Sequence, residues 1–313
     1  MMLKCKPEDF IVREVYDVPM PGGNYTYFVL KKKNYTTERA IQAISKKVNI
    51  PRRNFGYAGT KDKHAITIQL CSVKGNISDM VLKDIEVKIV GKGKEPISLG
   101  DLVGNEFEIT VRDIEKKPEP VTWIMNYFDE QRFSENNVEV GRCMIKGDFQ
   151  KAAKLIRHRS VQSHIEDFPN DHVGAIKTLP FKIQKIYIAA YQSYLWNECV
   201  ASYVRKNYPR YLTIKYSQGE FLFPNTRPEF DVPLISFDSD VGFYEEILKK
   251  EGLALRDFVI RQMPDLTPQG SSRHVSVEVK DLHIRELENK KIKIKFFLPK
   301  GSYATLAVKR MLA

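Results

Sequence analysis

The chain has 313 residues, of which 42% are hydrophobic and 28% are charged, as in folded proteins rather than disordered ones. No run approaches the ~20 consecutive apolar residues that a transmembrane helix needs, and the polar N-terminus does not resemble a signal peptide, so we expect a cytoplasmic protein, or a nuclear one in a cell with a nucleus. The 50 Lys and Arg against 39 Asp and Glu leave a net charge of +11, which is compatible with a nucleic acid partner without deciding for one.

The first third of the chain predicts alternating strands and helices. Residues 9–15 and 25–30 have strand composition, and the following Thr36-Thr37-Glu38 can cap a helix. That helix must end by Ile50, because Pro51 follows it. From residue 66 onwards apolar residues alternate with Thr67, Gln69 and Cys71, which predicts a half-buried strand.

The rest of the chain changes character twice. Residues 148–205 are predicted to be mostly helical, and the proline-containing residues 207–245 to be rich in loops. Strand character returns at residues 275–279 and 292–298, and a terminal helix is expected after Gly301-Ser302. Strand-rich ends around a helical middle predict an α+β domain that is interrupted by an insertion.

Residues 59–65, GTKDKHA, place one carboxylate between two ammonium groups in a polar segment that joins two strand-like runs. The cations of Lys61 and Lys63 favour the ionised form of Asp62, and an ionised carboxylate can act as a nucleophile or a general base. The same lysines can attract phosphate. From spacing alone, however, a turn that carries solvated charges is the commoner explanation of such a segment.

Other segments also allow two interpretations. Residues 126–133, NYFDEQRF, interleave aromatic rings with amide and guanidinium groups, which can stack on a splayed base and hydrogen-bond its edge. Aromatic residues at the end of a strand or helix nevertheless belong more often to the core. The lysine runs at residues 31–33 and 290–291 can contact a nucleic acid backbone, although such runs are usually solvated faces.

Five segments, taken in order, carry a more specific signal. They are residues 3–14 (LKCKPEDFIVRE), 56–69 (GYAGTKDKHAITIQ), 126–133, 191–197 (YQSYLWN) and 297–305 (FLPKGSYAT). Together they resemble the motifs of the TruD family of RNA pseudouridine synthases, in the order of that family. The sequence departs from the family pattern at Ser134, where a glycine is usual, and in an arginine-proline segment of which only Arg273 remains. It is also short within the insertion.

The resemblance implies an enzyme that isomerises uridine to pseudouridine in RNA without a cofactor or a metal, with uridine 13 in the D arm of tRNA as the best-known target. The catalytic aspartate of the family corresponds to Asp62. Its active-site lysine, its asparagine and its stacking phenylalanine fall on Lys4, Asn126 and Phe128. The basic side chains that we expect to contact the RNA backbone are Lys61, Lys63 and Arg132.

The resemblance also implies a fold. We expect an α+β pseudouridine-synthase catalytic domain with a mixed, largely antiparallel sheet, formed by residues 1–150 and 271–313. Residues 151–270 would form a mostly helical α/β insertion domain, the TRUD domain. The expected partner is RNA, and specifically tRNA. No membrane and no protein partner is implied, and we expect a monomer.

Two functions of other classes compete with this interpretation. A non-catalytic RNA-binding protein that keeps the fold predicts that Asp62→Ala is silent in every RNA assay. A metal-dependent nuclease or phosphotransferase requires clustered carboxylates, and neither these nor the four cysteines and six histidines show a metal-ligand spacing. Residue types do not decide whether Asp62 attacks the sugar or removes a proton.

Overall fold

The structure, a computed structural model, describes residues 2–134, 136–288 and 290–313 and divides into two compact units. The first unit combines Met1–Trp123 with Glu278–Leu312, and the second comprises Ile124–Val277 and Ala313. The chain thus crosses between the units after residues 123 and 277, whereas the predicted domains change after residues 150 and 270. The assignment of catalytic and insertion domains stays a prediction.

A sheet forms the centre of the first unit, and the described residues contribute nine strands to it. The strands are β1 (Phe10–Val15), β2 (Tyr25–Lys33), β3 (Phe55–Tyr57), β4 (Ile66–Lys74), β5 (Met80–Leu82), β6 (Ile85–Gly93), β7 (Gly104–Val111), β14 (Lys280–Leu287) and β15 (Lys291–Pro299). Their order is β14-β15-β7-β1-β4-β2-β6-β5, and β3 also pairs with β4. Because β1 and β4 run parallel and the other neighbours antiparallel, the predicted mixed, largely antiparallel sheet is confirmed.

Helix α1 (Thr37–Val48) covers one part of this sheet. Thr36 caps it by accepting a hydrogen bond from the N–H of Arg39, and the helix ends at Asn49 in a left-handed conformation with φ of 54°. The apolar face of α1 shares a core with β2, formed by Ala40, Ile41, Ile44, Phe28 and Leu30. The predicted cap and the predicted end before Pro51 are confirmed, as is a terminal helix, α8 (Ala304–Leu312).

Strand β4 buries its polar face. Thr67, Gln69 and Cys71 are buried, whereas Ile66 and Ile68 are only partly buried. The strand itself was predicted correctly, and on its apolar face Leu70 is fully buried although Ile66 and Ile68 are not. The polar face is buried because it packs against α1, where the hydroxyl of Thr37 donates to the Gln69 amide oxygen at 2.9 Å.

The second unit is mostly helical. Its helices are α2 (Asn137–Ile145), α3 (Phe149–Leu155), α4 (Arg159–Asp167), α5 (His172–Lys177), α6 (Phe181–Asn207) and α7 (Glu245–Glu251). Two short sheets are formed by β9 (Tyr211–Tyr216) with β10 (Gly219–Pro224) and by β11 (Asp231–Leu234) with β12 (Ser271–His274). Strand β8 (Trp123–Met125) pairs with β13 (Ser276–Glu278) where the chain crosses between the units.

The prediction that residues 207–245 are mainly loop was wrong in part, because β9, β10 and β11 lie there. Pro224 is the last residue of β10, and Pro233 lies within β11, which has one partner strand. Proline is tolerated at such positions because a strand at the edge of a sheet does not need every N–H group for pairing.

Helix α6 spans 27 residues and holds the 126–133 segment. The Asn197 amide oxygen accepts from the N–H of Phe128 at 2.9 Å, and the Asn197 amide nitrogen donates to the carbonyl of Phe128 at 2.8 Å. Two segments that the sequence analysis singled out separately, 126–133 and 191–197, therefore form one hydrogen-bonded structure. In the described part of the chain no helix, α6 included, has the length and hydropathy needed to cross a membrane.

Candidate active site

The segment between β3 and β4, residues 58–65, carries Asp62 and is here called the Asp62 loop. It has no regular secondary structure, yet buried side chains bond its main-chain groups. Gln69 Nε2 donates to the Gly59 carbonyl at 3.0 Å, the Lys61 N–H donates to Thr37 Oγ1 at 3.0 Å, and Lys32 Nζ donates to the Asp62 carbonyl at 2.9 Å. Connected buried hydrogen bonds of this kind fix a backbone more firmly than isolated ones.

Lys4 bonds the Asp62 carboxylate. Its Nζ lies 2.6 Å from Asp62 Oδ2, and both side chains are about one-quarter exposed. The same ammonium group lies 4.2 Å from the centre of the Phe10 ring, and the Lys4 backbone has a left-handed φ of 56°. The charge-assisted bond orients the Asp62 carboxylate, and its partial exposure leaves it accessible to a substrate.

The two lysines beside Asp62 differ in their surroundings. Lys61 Nζ lies 2.5 Å from Glu14 Oε2, and the Lys61 and Glu14 side chains are 9% and 0% exposed. Burial raises the pKa of Glu14, and the positive charge of Lys61 opposes that rise. Lys63 is exposed. Both lysines were expected to contact the RNA backbone, and the structure leaves Lys63 accessible and encloses Lys61.

In the second unit, Asn126 is fixed by β12. Arg273 donates to the Asn126 main-chain carbonyl at 2.9 Å and to its side-chain oxygen at 2.7 Å, and Asn126 Nδ2 donates to the His274 carbonyl at 3.0 Å. Asn126 is 6% exposed. Its amide thus has a defined orientation, and Arg273 is the residue that imposes it.

Phe128 lies in the same group. The Arg273 guanidinium carbon is 4.1 Å from the centre of the Phe128 ring, and Trp196 meets the ring edge-on at 5.6 Å. Arg132 lies 5.7 Å from the ring centre and donates from Nε to the Ser193 hydroxyl at 3.1 Å. The structure therefore brings Asn126, Phe128 and Arg132 together in one unit, and Lys4, Asp62 and Lys61 together in the other.

Comparison with known proteins decides the family. A sequence profile described as tRNA pseudouridine synthase D (TruD) matches residues 1–164, 154–228 and 236–311. The chain belongs to the TruD family. Membership makes it a tRNA pseudouridine synthase, an isomerase that acts on RNA, and the predicted family and class of enzyme are confirmed.

Individual TruD relatives match over more than nine-tenths of their own lengths. The "Probable tRNA pseudouridine synthase D" of Thermococcus sibiricus is 32% identical over 99% of this chain and 94% of the relative. The "Probable tRNA pseudouridine synthase D 2" of Methanocaldococcus jannaschii is 31% identical over 99% and 91%. The crystal structure of a TruD protein from Methanosarcina mazei superposes with a TM-score of 0.72 at 25% identity, covering 99% of this chain and 93% of that one.

Sequence reasoning missed one lysine of this TruD protein. Lys32, part of the run at residues 31–33, is 1% exposed, and its ammonium group donates to the carbonyls of Tyr35 (2.6 Å) and Asp62. Burial lowers the pKa of Lys32 to about 8, although the nearby charge of Asp62 acts in the opposite direction. The available signal was its place in β2, where it lies on the same face as the buried Phe28 and Leu30.

The low pKa of Lys32 predicts a pH dependence of stability. Between about pH 8 and 10.5 the unfolded chain keeps the Lys32 proton, whereas the folded protein releases it. The free-energy cost of burying a charged ammonium group, which destabilises the folded protein below pH 8, is therefore relieved as the pH rises. The free energy of unfolding of the wild type, minus that of Lys32→Met, should rise across this window by up to about 3 kcal/mol. Urea unfolding of both proteins at the two ends of the window measures it, and a constant difference contradicts the prediction.

No group of three or more His, Cys, Asp or Glu side chains within residues 2–134, 136–288 and 290–313 is placed to hold a metal ion. Three lysines near Asp62 have an identified acceptor: Lys4 bonds the Asp62 carboxylate, Lys32 bonds main-chain carbonyls and Lys61 bonds Glu14. The arrangement therefore presents one carboxylate, backed by cations, on a fixed loop.

Proposed function

We propose that this protein converts uridine 13 in the D arm of tRNA to pseudouridine, with Asp62 acting at the ribose of a flipped-out uridine. The observation that carries the proposal is the Asp62 carboxylate, held 2.6 Å from Lys4 on a loop whose backbone is bonded by buried side chains. A carboxylate that is fixed before the substrate arrives needs no reorganisation when positive charge develops on the sugar. Uridine 13 is proposed because it is the best-known target of the family.

The chemistry suits a single carboxylate. Breaking the C1′–N1 bond places positive charge on the sugar, as glycoside cleavage does. Asp62 stabilises that charge, bonds to C1′, or removes a neighbouring sugar proton to give a glycal. The uracil then turns and bonds to C1′ through C5, while the bond from Asp62 to C1′ breaks or, on the glycal route, the sugar regains the proton that it lost to Asp62. C5 releases its hydrogen as a proton, and N1 gains one. Substrate and product contain the same atoms, so the isomerisation consumes no co-reactant.

The target base must first leave its stack, which costs a few kcal/mol. Contacts with the RNA backbone offset that cost, and the exposed Lys63 beside Asp62 is our candidate for one of them. We assign contacts with the substrate also to Asn126, Phe128 and Arg132, with Arg273 fixing the first two. The contact that both side chains make with Arg273, which fixes the Asn126 amide and the Phe128 ring, supports their assignment to one group.

The proposal extends to organisation and partners. We propose that residues 1–150 and 271–313 act as the catalytic domain and residues 151–270 as the insertion domain. The first compact unit contains both Asp62 and Lys4, which supports the assignment of the two ends of the chain to the catalytic domain. We further propose a cytoplasmic monomer that needs only RNA as its partner.

Carbodiimide mapping of unmodified tRNA transcripts tests the proposed target. With uridine at position 13, the wild-type protein should create one new pseudouridine, at that position. A matched transcript with cytidine 13 should gain none, because cytosine at that position leaves no uridine to isomerise. A pseudouridine elsewhere that survives the exchange to cytidine would overturn uridine 13 as the target.

A further inference from the structure

The lysine before Asp62 is built into the protein interior. Lys61 was expected to attract RNA phosphate, but 91% of its side chain is covered and its ammonium group bonds the fully buried carboxylate of Glu14. Its main-chain N–H is bonded as well, to the hydroxyl of Thr37. Lys61 is thus held at both ends, and a residue held at both ends cannot reach outward to a phosphate without breaking the pair.

Stability alone is a poor explanation for this ion pair. Removing two charges from water costs about as much free energy as their attraction returns, so a buried pair contributes little net stability. What such a pair does provide is a single arrangement, since either charge left alone in the interior is strongly unfavourable. The pair therefore fixes the position of Lys61.

The anchor of the pair is rigid. Glu14 lies on β1, which is hydrogen-bonded on one side to β4 and on the other to β7. Lys61 precedes Asp62 directly, so fixing Lys61 restricts the backbone from which the Asp62 carboxylate projects. Lys32 holds the carbonyl on the other side of the Asp62 α-carbon. Small displacements of a reacting group cost large factors in rate, so restricting this backbone matters for the reaction.

We infer that Glu14 and Lys61 form a positioning pair for the Asp62 carboxylate and that Lys61 does not contact the RNA. This inference rests on the proposed role of Asp62. It divides the two lysines of the GTKDKHA segment between different tasks, with Lys61 setting the geometry of the carboxylate and Lys63 remaining available to the substrate.

The test compares Lys61→Met with Lys63→Met in two assays: the single-turnover rate at saturating tRNA, and tRNA binding as a function of salt. We expect Lys61→Met to lower the rate by about 30-fold and to leave the affinity and its salt dependence unchanged. Lys63→Met should weaken binding and reduce the salt slope by about one. If Lys61→Met instead weakens binding, reduces the slope and keeps its rate, the inference is wrong.

Lys293→Met is the matched control. Lys293 also forms a 2.5 Å ion pair within the same sheet, but it lies on β15 and its ion-pair partner, Glu108, lies on β7 rather than in the Asp62 loop. It should keep both the rate and the affinity. If Lys61→Met does not fold, because it leaves Glu14 charged and unpaired, the double variant Glu14→Gln with Lys61→Met removes both charges. A slow double variant supports the inference, and a wild-type rate overturns it.

Asp62→Ala, assayed in parallel, separates this inference from the proposed function. An active Asp62→Ala variant refutes the role of Asp62, and the positioning pair falls with it. An inactive Asp62→Ala together with a normal Lys61→Met refutes the positioning pair alone.

Discussion

Asp62→Asn is expected to lower the single-turnover rate of pseudouridine formation by at least about 10³-fold. The asparagine amide has nearly the size of the carboxylate and can still accept a hydrogen bond from Lys4. It has no negative charge to stabilise the sugar, no nucleophilic oxygen for C1′ and no basic oxygen for a proton. All three possible roles of Asp62 are therefore lost together. Nucleoside mass spectrometry of tRNA incubated with excess enzyme measures the effect.

Binding separates this loss from a loss of fold. Asp62→Asn should bind tRNA at least as tightly as the wild type does, because the lost negative charge repels phosphate and the Lys63 side chain is unchanged. Asp17→Asn, at an exposed carboxylate outside the Asp62 loop, is a control that should keep the wild-type rate. Equal losses of binding and activity in Asp62→Asn would show that Asp62 holds the RNA or the fold rather than the reacting sugar.

Lys4→Met is expected to have the second largest effect, a loss of about 100-fold in the single-turnover rate. A hydrogen bond to a charged group contributes about 1.5–3 kcal/mol, and about 1.4 kcal/mol corresponds to a factor of ten in rate. At 2.6 Å, with both groups partly covered, the bond between Lys4 and Asp62 belongs at the upper end of that range. Single-turnover kinetics at saturating tRNA provide the measurement.

The neighbouring Lys6 provides the comparison for Lys4. Lys6 is exposed, and it contacts Asp9 through its main-chain N–H rather than its side chain, so Lys6→Met should keep the rate. Lys4→Arg keeps the positive charge and should retain more activity than Lys4→Met. If Lys4→Met weakens tRNA binding but reaches the wild-type rate at saturation, Lys4 binds a phosphate instead of orienting Asp62.

Local sequence signals predicted local structure well. The cap at Thr36, the end of α1 before Pro51 and the terminal helix depend on a few consecutive residues, and all three occur in the structure. The mixed sheet came with the resemblance to TruD rather than from strand patterns. Strands in residues 207–245 were missed because proline breaks a strand pattern, although it is compatible with a two-stranded sheet.

The side chains that surround Asp62 could not be predicted from the neighbouring sequence. Lys61 and Lys63 look alike in the sequence, and only the parallel pairing of β1 with β4 brings Glu14 near one of them. Lys32 was likewise hidden in a run of three lysines. A buried lysine is recognised by its partners, and one partner of Lys32 is the main-chain carbonyl of Asp62, 30 residues away. Such contacts follow from tertiary packing, which composition and periodicity do not encode.

The contact between Asn126 and Arg273 shows the same limit. The two residues are separated by 147 positions, and in the sequence Arg273 stands out only as what remains of an arginine-proline segment of the family. In the structure it bonds Asn126 and stacks on Phe128, so it organises the group that the 126–133 segment supplies. Bidentate contact with a carbonyl and an amide requires the planar fork of arginine, which explains why this residue type serves here.

Release of tritium from tRNA that carries [5-³H]uridine tests the central role of Asp62 most directly, because pseudouridine formation replaces the C5–H bond with a C5–C1′ bond. The wild-type protein in excess should release the label of one uridine per tRNA, and none from a tRNA with cytidine 13. Asp62→Asn should bind the same tRNA and release no label within the time of the wild-type reaction. Release by Asp62→Asn at the wild-type rate would contradict the assignment of the catalytic carboxylate.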